Sequence, residues 1–457
     1  MIPAVEVAGA RVFLGDCREV LGQLPDNSVD SIVTDPPYEL GFMGKSWDSS
    51  GVAYDVNLWM DCFRVLKPGG HLLAFGGSRT WHRLAVAVED AGFELRDSIA
   101  WLYGSGFPKS LNVSKAIEST LTRGSSHSTA LRATEQAGDG ESYQLKGKNN
   151  GILGETRIYD RKEFEASTSE AKEWKGWGTA LKPAFEPVVV GRKPLVGTVA
   201  ENVLEWGVGG LNIDGSRIPG RVQKGAANNF VFIPGGEVND GYVKGTGAHF
   251  HNEGRWPANV ILDEVTAGFL DEQSGVSKSG KPGVERIATS WNANTYGAGI
   301  GKIAGQQRGD FGDSGGASRF FYVAKASKRD RNEGLEGLEG ASSGGKGNGL
   351  ARVCETCGAS ILKPCDCPER SFVNPQVKNF HPTVKPTQLM RYLIKLVTPP
   401  GGTVLDPFTG SGSTGKAALL DGFGFVGAEL TEEYLPIIEG RLRWASEQVE
   451  ETDDTLF

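Results

Sequence analysis

The stretch Thr403–Gly415 reads TVLDPFTGSGSTG and joins a short apolar run to a glycine-rich turn and a predicted helix. Gly410, Gly412 and Gly415 match the spacing G-x-G-x-x-G. Glu429 follows Gly410 by 19 residues, at the end of the next apolar run. Such glycines let the backbone approach a cofactor closely, and the acidic residue can accept hydrogen bonds from ribose hydroxyls. The motif therefore predicts a nucleotide-type cofactor site on an α/β fold. A turn that serves only strand-to-helix packing is the alternative.

A second motif, DPPY at residues 35–38, directly follows an apolar run at Val29–Val33. Open α/β sheets bind ligands at the carboxyl ends of their strands, so this motif is expected at the ligand-binding edge. Its two prolines stiffen the loop and leave their carbonyls without local amide donors. Asp35 and the Pro36 carbonyl can therefore accept both N–H bonds of a planar exocyclic amine, while Tyr38 stacks on the ring. The alternative is a Pro-Pro turn capped by an aspartate.

Both ends of the chain alternate short apolar runs with segments of helical spacing, which predicts a mostly parallel α/β sheet. The predicted strands include Arg11–Leu14, Val29–Val33, His71–Phe75, Gly402–Leu405 and Phe425–Ala428, and the predicted C-terminal helices are Gln388–Val397, Ser413–Asp421 and Glu432–Glu450. The two strands of the tail cannot form a stable parallel sheet alone. The sequence therefore predicts one discontinuous domain, assembled from residues 1–111 and 380–457.

The middle of the chain divides into three parts by composition. Residues 112–182 are largely polar with balanced charge, which predicts a flexible insertion. Residues 183–330 are glycine-rich with short apolar runs, which predicts an irregular, loop-heavy module. Residues 331–379 combine a Gly/Ser-rich linker with a cluster of cysteines.

That cluster consists of Cys354, Cys357, Cys365 and Cys367, in the spacing C-x2-C-x7-C-x-C. Four thiolates in two close pairs can hold a tetrahedral Zn²⁺ with no open ligand position, which predicts a structural zinc-knuckle-like module. Reduced or redox-active thiols are the alternative. The two remaining cysteines lie in apolar α/β segments and are predicted to be core residues.

Charge is distributed unevenly along the chain, whose formal net charge is −8. Residues 1–111 and 400–457 carry 12 basic and 25 acidic side chains, a balance of −13. Residues 112–399 carry 36 basic and 31 acidic side chains, a balance of +5. The composition excludes a uniformly basic, histone-like binder of nucleic acid. A surface that faces a polyanion is expected from the middle of the chain, with salt-sensitive binding.

Together the two motifs resemble those of S-adenosylmethionine-dependent DNA amino-methyltransferases, in which DPPY is the catalytic motif and DPFTGSGST the cofactor motif. The catalytic motif comes first here, as in the permuted beta class, whose target-recognition region lies between the motifs. Further matches are GDC at residues 15–17, KPGG at 67–70 and HPTVKP at 381–386. The segments Trp101–Lys115 and Ser318–Gly334 also resemble phage and prophage members.

The resemblance implies a Rossmann-like methyltransferase sheet, with target recognition in residues 183–330. It implies a catalytic motif of Asp35, Pro36, Pro37 and Tyr38, and cofactor contacts from Asp16, Asp406, Phe408, Gly410, Ser411, Gly412 and Glu429. In this scheme Phe408 and the glycine turn line the methionine part of S-adenosylmethionine, with Asp406 near its amino group. Glu429 binds the ribose hydroxyls and Asp16 lies near the adenine. Lys385 is expected near the cofactor pocket, without an assigned chemical role.

The implied reaction is site-specific methyl transfer to an exocyclic amine of a flipped-out base in double-stranded DNA. Aspartate at the first motif position favours adenine N6 over cytosine N4, which remains the alternative. An NAD-type oxidoreductase is disfavoured by DPPY, and the reversed motif order disfavours RNA or protein methylation. A degenerate member that only binds DNA is the non-enzymatic alternative.

No apolar run approaches the ~18 residues of a membrane span, and the N-terminus lacks the basic region of a signal peptide. No membrane partner is therefore expected, and the resemblance implies a protein of the bacterial or phage-infected cytoplasm. A homodimer is compatible with this interpretation. Neither a recognition sequence nor a partner restriction nuclease is predicted.

Overall fold

A computed structural model describes residues 1–41, 46–106, 110–123, 164–218, 254–278, 313–325, 328–338 and 378–453, with short strands at 230–232, 242–244, 341–342, 353–354, 372–373 and 376–377. Within these residues no helix is long and apolar enough to cross a membrane.

Strands of the described residues form one large mixed sheet and four small ones. In chain order they are β1 Val5–Val7, β2 Ala10–Leu14, β3 Val29–Thr34, β4 Leu66–Phe75, β5 Glu94–Leu102, β6 Phe185–Arg192, β7 Phe230–Phe232, β8 Tyr242–Lys244, β9 Val260–Asp263, β10 Ser277–Lys278, β11 Ser314–Gly315, β12 Tyr322–Ala324, β13 Ala341–Ser342, β14 Val353–Cys354, β15 Phe372–Val373, β16 Gln376–Val377, β17 Thr403–Asp406 and β18 Gly424–Glu429. The large sheet has the order β1-β2-β18-β17-β3-β4-β6-β5-β9-β12. The small sheets pair β7 with β8, β10 with β11, β13 with β16 and β14 with β15.

Helices cover both faces of this sheet. They are α1 Cys17–Leu21, α2 Val56–Val65, α3 Trp81–Asp90, α4 Val113–Arg123, α5 Ser169–Glu173, α6 Val199–Trp206, α7 Glu264–Ser274, α8 Lys328–Asn332, α9 Thr387–Val397, α10 Ser413–Leu420 and α11 Leu435–Asp453. Short 3₁₀ turns occupy Ser46–Ser49, Val52–Tyr54, Asp214–Ser216, Ala317–Phe320 and Glu432–Tyr434. The last of these turns leads into α11, so the predicted C-terminal helix begins with a 3₁₀ turn.

The sheet is assembled from both ends of the chain, as predicted. β17 from the tail lies between β3 and β18 and is parallel to both, with Leu405 opposite Ile32. β18 pairs in parallel with β2, and Phe425 lies opposite Ala10. The two tail strands are therefore stabilised by hydrogen bonds and apolar neighbours from the first 34 residues.

Consecutive residues of β17 face two different cores, because side chains alternate across a strand. Val404 belongs to the core that α9, α10 and α11 form on one face, and Leu405 belongs to the core that α1, α2 and α3 form on the other. Both side chains are fully buried. Coverage on two faces explains why this strand reads as a continuous apolar run rather than an alternating one.

Three strands of the large sheet come from residues 183–330, where the sequence predicts an irregular, loop-heavy module. β6 lies antiparallel between β4 and β5, and β9 and β12 extend the sheet beyond β5. The apolar run Val188–Val190 is buried in the middle of β6. A run of three residues gives too short a pattern to predict a strand, and its pairing partners lie about 90 to 115 residues earlier in the chain. The boundaries of the target-recognition region stay a prediction.

Asp30, the second residue of β3, links the two ends of the chain. It is 6% exposed, and its Oδ2 accepts a hydrogen bond of 2.7 Å from the backbone N–H of Thr403, at the start of β17. Its Oδ1 lies 2.6 Å from the Nζ of Lys67 on β4. One carboxylate therefore connects β3, β4 and β17.

Replacing this carboxylate with a methyl group in Asp30→Ala should destabilise the assembled sheet. The Thr403 N–H and the Lys67 ammonium lose their acceptor, which should lower the free energy of unfolding by about 2 kcal/mol. Urea titration followed by circular dichroism measures the change. Asp26→Ala is the matched control, because the Asp26 side chain is 69% exposed and its pair with Arg64 should contribute less than about 1 kcal/mol. Equal stability of the two variants would contradict the proposed link.

Candidate functional site

A cavity of about 640 Å³ opens at the carboxyl ends of the central strands. It is lined by the loops that follow β3, β17 and β18, together with residues from β5 and β6. Of the residues predicted from the sequence, it contains Asp16, Asp35, Pro36, Pro37, Tyr38, Asp406, Phe408, Gly410, Ser411 and Glu429. The catalytic and cofactor motifs therefore meet in one cavity, although about 370 residues separate them in the chain.

Gly412 is the predicted cofactor residue that does not line this cavity. It is the N-cap of α10 with a φ of 74°, a left-handed conformation that favours glycine. A Cβ at this position would lie 3.3 Å from the Cα of Ile438 on α11. Gly412 therefore allows close packing between the turn and α11, and its predicted contact with a cofactor stays a prediction.

Glu429 ends β18 and holds the glycine turn in place. Its carboxylate accepts the backbone N–H of Gly410 at 2.7 Å and that of Thr431 at 2.8 Å. Burial raises the pKa of Glu429 to about 7, against the lowering effect of these two hydrogen bonds. The carboxylate lines the cavity and keeps lone pairs for further donors, so its chemistry fits the ribose hydroxyls expected of a nucleotide-type cofactor.

Asp406 lies beneath the same turn and is 2% exposed. It accepts hydrogen bonds from the hydroxyl of Thr34 at 2.6 Å, from the hydroxyl of Thr414 at 2.5 Å and from the N–H of Phe408 at 3.0 Å. Burial raises its pKa to about 6. These contacts show that Asp406 fixes the shape of the turn. Its position near the amino group of a cofactor stays a prediction.

Asp16 lies at the edge of the cavity as the N-cap of α1. The guanidinium of Arg18 donates to both of its carboxylate oxygens, at 2.9 and 2.6 Å, and hydrogen bonding to Arg18 lowers the pKa of Asp16. The preceding Gly15 donates its N–H to the carbonyl of Glu429 at 2.9 Å. Asp16 and Glu429, which are predicted to contact the adenine and the ribose of the cofactor, therefore lie beside each other.

Asp35 and Tyr38 of the DPPY loop form a compact polar group with two further residues, Glu186 and Lys385, and we name these four residues the catalytic cluster. The Nζ of Lys385 lies 2.6 Å from Oδ2 of Asp35 and 3.1 Å from the hydroxyl of Tyr38. Tyr38 donates its hydroxyl to Oε2 of Glu186 at 2.9 Å. Burial, followed by the charges of Asp35 and Glu186, raises the pKa of Tyr38 well above its ordinary value, so the phenol stays neutral.

Oδ1 of Asp35 is buried and has no hydrogen-bond partner among the described residues. Buried carboxylate oxygens nearly always have a donor, so this atom is suited to a donor that a ligand brings. An exocyclic amine next to the DPPY loop would supply such a donor. The geometry therefore fits the role that the sequence predicts for Asp35.

Aromatic side chains form the wall of the cavity next to the catalytic cluster. Trp101 and Tyr103, at and after the end of β5, have ring centroids 5.3 Å apart, and Phe185 begins β6. Trp101 lies directly opposite Glu186 in the ladder between β5 and β6. A planar ring that enters this cavity would therefore meet aromatic surface as well as Tyr38.

Two supporting residues were not predicted. Glu186 lies in the region predicted to be irregular, where its sequence offers no signal of a role. Arg441 on α11 is fully buried and donates to the carbonyl of Ser411 at 2.8 Å and to the hydroxyl of Ser413 at 3.0 Å. An arginine between the apolar positions Ile438 and Leu442 of an amphipathic helix is a signal that could have identified it.

The predicted zinc site lies outside the described residues, apart from Cys354 in β14. Where the structure describes the chain, no group of three or more His, Cys, Asp or Glu side chains is placed to hold a metal ion. Cys17 and Cys62 are buried in the core around α1 and α2, as predicted.

The buried carboxyl of Glu429 should make stability depend on pH. Its pKa rises from 4.5 to about 7 on folding, so the folded state binds the proton more tightly and loses stability as the pH rises through this window. In Glu429→Gln this loss is absent. The free energy of unfolding of the variant, relative to wild type, should therefore increase by about 2 to 3 kcal/mol between pH 4.5 and 7.5. Urea titrations at several pH values measure it, and a constant difference would contradict the raised pKa.

Curated proteins that share local similarity with this chain include two methyltransferases. The DNA adenine methyltransferase YhdJ of Escherichia coli (strain K12) is 40% identical over 81 residues, which cover 18% of this chain and 27% of that protein. The type II methyltransferase M.HpaI of Haemophilus parainfluenzae is 31% identical over 108 residues, which cover 22% of this chain and 33% of that protein. The chain thus matches at most about a third of the length of these relatives.

Among solved structures, the cytosine-N4-specific PvuII DNA methyltransferase aligns over 99% of this chain and 94% of its own, with 12% identity and a TM-score of 0.38. A family model described as DNA methylase, for N6 and N4 methyltransferases, matches residues 29–440. This range includes the DPPY motif, the glycine turn and the whole middle of the chain, and it confirms the predicted resemblance. The chain belongs to the N6/N4 DNA methylase family.

Proposed function

We propose that this protein is a site-specific DNA methyltransferase that transfers a methyl group from S-adenosylmethionine to the N6 amino group of adenine. The observation that carries the proposal is the buried, unpartnered Oδ1 of Asp35, in the same cavity as the glycine turn and Glu429. An acceptor for an amine therefore lies in the cavity whose other end suits a nucleotide-type cofactor. Membership of the N6/N4 family supports both an exocyclic amine as the acceptor and S-adenosylmethionine as the methyl donor.

The residues at the cofactor end fit S-adenosylmethionine by their chemistry. Glu429 would accept hydrogen bonds from the ribose hydroxyls, and Asp16 would lie at the adenine. Phe408, Gly410 and Ser411 would line the methionine part, with Asp406 holding the turn beneath them. When bound, S-adenosylmethionine supplies an electrophilic methyl group on a sulfonium.

Asp35 has the main electrostatic role in the proposed reaction. The lone pair of an exocyclic amine is delocalised into the base, and accepting its N–H bonds at Asp35 and the Pro36 carbonyl favours a pyramidal, nucleophilic nitrogen. Positive charge develops on this nitrogen as its bond to the methyl group forms and the methyl–sulfur bond breaks, and the carboxylate stabilises that charge. The methylated amine then releases one proton to solvent. Alignment of the nitrogen with the methyl group supplies much of the remaining rate enhancement.

The target base must leave the DNA stack to reach this cavity. Tyr38 would replace part of the lost stacking, and the aromatic wall of Trp101, Tyr103 and Phe185 would cover the extruded ring. The basic balance of residues 112–399 is consistent with double-stranded DNA as the partner. Such a substrate is expected in the cytoplasm of a bacterium or of a phage-infected host.

Adenine is favoured over cytosine by two observations. The catalytic motif begins with aspartate rather than serine, and the relative with 40% local identity is named as an adenine methyltransferase. Cytosine presents a similar amine beside a ring nitrogen, so N4 methylation is the alternative that the experiment must separate.

Labelled S-adenosylmethionine and unmodified DNA of varied sequence test the proposal directly. After digestion to nucleosides, label in N6-methyladenine is the expected result, and label in N4-methylcytosine would replace adenine with cytosine as the target. Cofactor binding without any labelled nucleoside would refute DNA methylation. The same preparation offered RNA and protein substrates identifies those alternatives.

Asp35→Ala should reduce methyl transfer by at least about 100-fold, because the developing positive charge loses its carboxylate. The Kd for S-adenosylmethionine should change by less than about threefold, since Glu429 and the glycine turn remain intact. Asp90→Ala, which removes an exposed carboxylate from α3, is the matched control and should retain wild-type turnover. Retained turnover in Asp35→Ala would contradict the assignment.

The structural zinc site remains a proposal from the spacing of Cys354, Cys357, Cys365 and Cys367 alone. Metal analysis of protein prepared under reducing, chelator-free conditions should find about one zinc per chain, with tetrahedral thiolate ligation. Replacing Cys354 and Cys357 with serine should remove it. A wild-type preparation without zinc would refute the site.

A further inference from the structure

Lys385 places a buried positive charge inside the catalytic cluster. Its side chain is 9% exposed, and its Nζ lies 2.6 Å from Asp35 and 3.4 Å from Oε2 of Glu186. Burial opposes the charged form, but Asp35 and Glu186 outweigh it and raise the pKa of the ammonium above its ordinary value. Lys385 is therefore charged at neutral pH, and its contact with Oδ2 leaves Oδ1 as the oxygen for the amine.

This arrangement has an electrostatic cost for the proposed reaction. The ammonium neutralises the carboxylate that must stabilise positive charge on the target nitrogen. His381 also lines the cavity, but burial lowers its pKa to about 4, so it adds no charge at neutral pH. Asp35 and Lys385 alone would form a neutral pair.

Glu186 restores the negative balance. It reaches the cluster from β6, and its carboxylate contacts the hydroxyl of Tyr38 at 2.9 Å as well as Lys385. The side chain is 19% exposed, so its charge acts in a partly desolvated environment where electrostatic interactions are stronger than in water. With Glu186 ionised, the catalytic cluster carries one net negative charge.

We propose that Glu186 is an electrostatic positioning residue, which offsets the charge of Lys385 so that Lys385 can orient Asp35 without weakening stabilisation of the target amine. This inference rests on the proposed methyl transfer. It assigns a role in that reaction to a residue from the region between the two sequence motifs.

The isosteric variant Glu186→Gln separates charge from geometry. Its amide oxygen can still accept the hydroxyl of Tyr38, while the cluster becomes neutral. The single-turnover rate of methyl transfer to unmethylated DNA should fall by about 10- to 100-fold. The Kd for S-adenosylmethionine should stay within about threefold of wild type, because the cofactor-binding turn is unchanged.

A second substitution at Lys385 gives a result that a merely structural role would not produce. In the Glu186→Gln background, Lys385→Met restores one net negative charge, so the double variant should transfer methyl groups faster than Glu186→Gln alone. In the wild-type background the same Lys385→Met should slow transfer, because Glu186 already balances the ammonium there and Asp35 loses the contact at Oδ2 that orients it. The effect of Lys385→Met should therefore change sign.

Glu94→Gln is the matched control, since it removes a carboxylate that pairs with Arg192 at the other end of the same two strands, outside the cavity. It should keep the wild-type rate, and thermal melting checks that each variant is folded.

A wild-type protein that binds the cofactor but methylates no DNA would overturn the proposed function together with this inference. Wild-type methylation with an unimpaired Glu186→Gln variant, or with no gain from Lys385→Met in that background, would overturn the role of Glu186 alone.

Discussion

The hydrogen bond between Thr34 and Asp406 is the contact on which the site depends. Thr34 is the last residue of β3 and Asp406 is the last residue of β17, and their side chains meet at 2.6 Å across 372 residues of sequence. Parallel pairing of the two strands brings their carboxyl ends to the same edge of the sheet. The DPPY loop and the glycine turn begin at these two ends, so one strand pairing places both halves of the proposed chemistry in a single cavity.

Carboxylates at this edge have different roles according to their partners. Asp406 and Glu429 are bound by backbone N–H groups or hydroxyls, which shape the cofactor turn, and burial raises the pKa of both. Asp35 is bound by an ammonium on one oxygen only, which leaves the other for an amine. Carboxylate groups thus stabilise the turn at one end of the cavity and serve the proposed chemistry at the other end, because the donors around them differ.

Sequence patterns predicted the parts of the molecule in which local signals are strong. The runs at Val29–Val33 and Phe425–Ala428 became β3 and β18 with only small shifts at their ends, because buried parallel strands are continuous apolar segments. β4 begins at Leu66 rather than at His71, since the backbone of the KPGG segment at 67–70 pairs with residues around Lys193. β6 was not predicted from the sequence, because its pairing depends on strands that lie far away in the chain.

By itself the sequence determined the family, the α/β class, the two motifs and the union of both chain ends in one sheet. These features follow from spacing and hydrophobic periodicity, which are properties of short segments. Only the tertiary structure decided that Glu186 and Lys385 join Asp35 and Tyr38, and that Arg441 supports the glycine turn. Such contacts arise between segments about 30 to 350 residues apart, and a charged side chain carries no local pattern that identifies its partner.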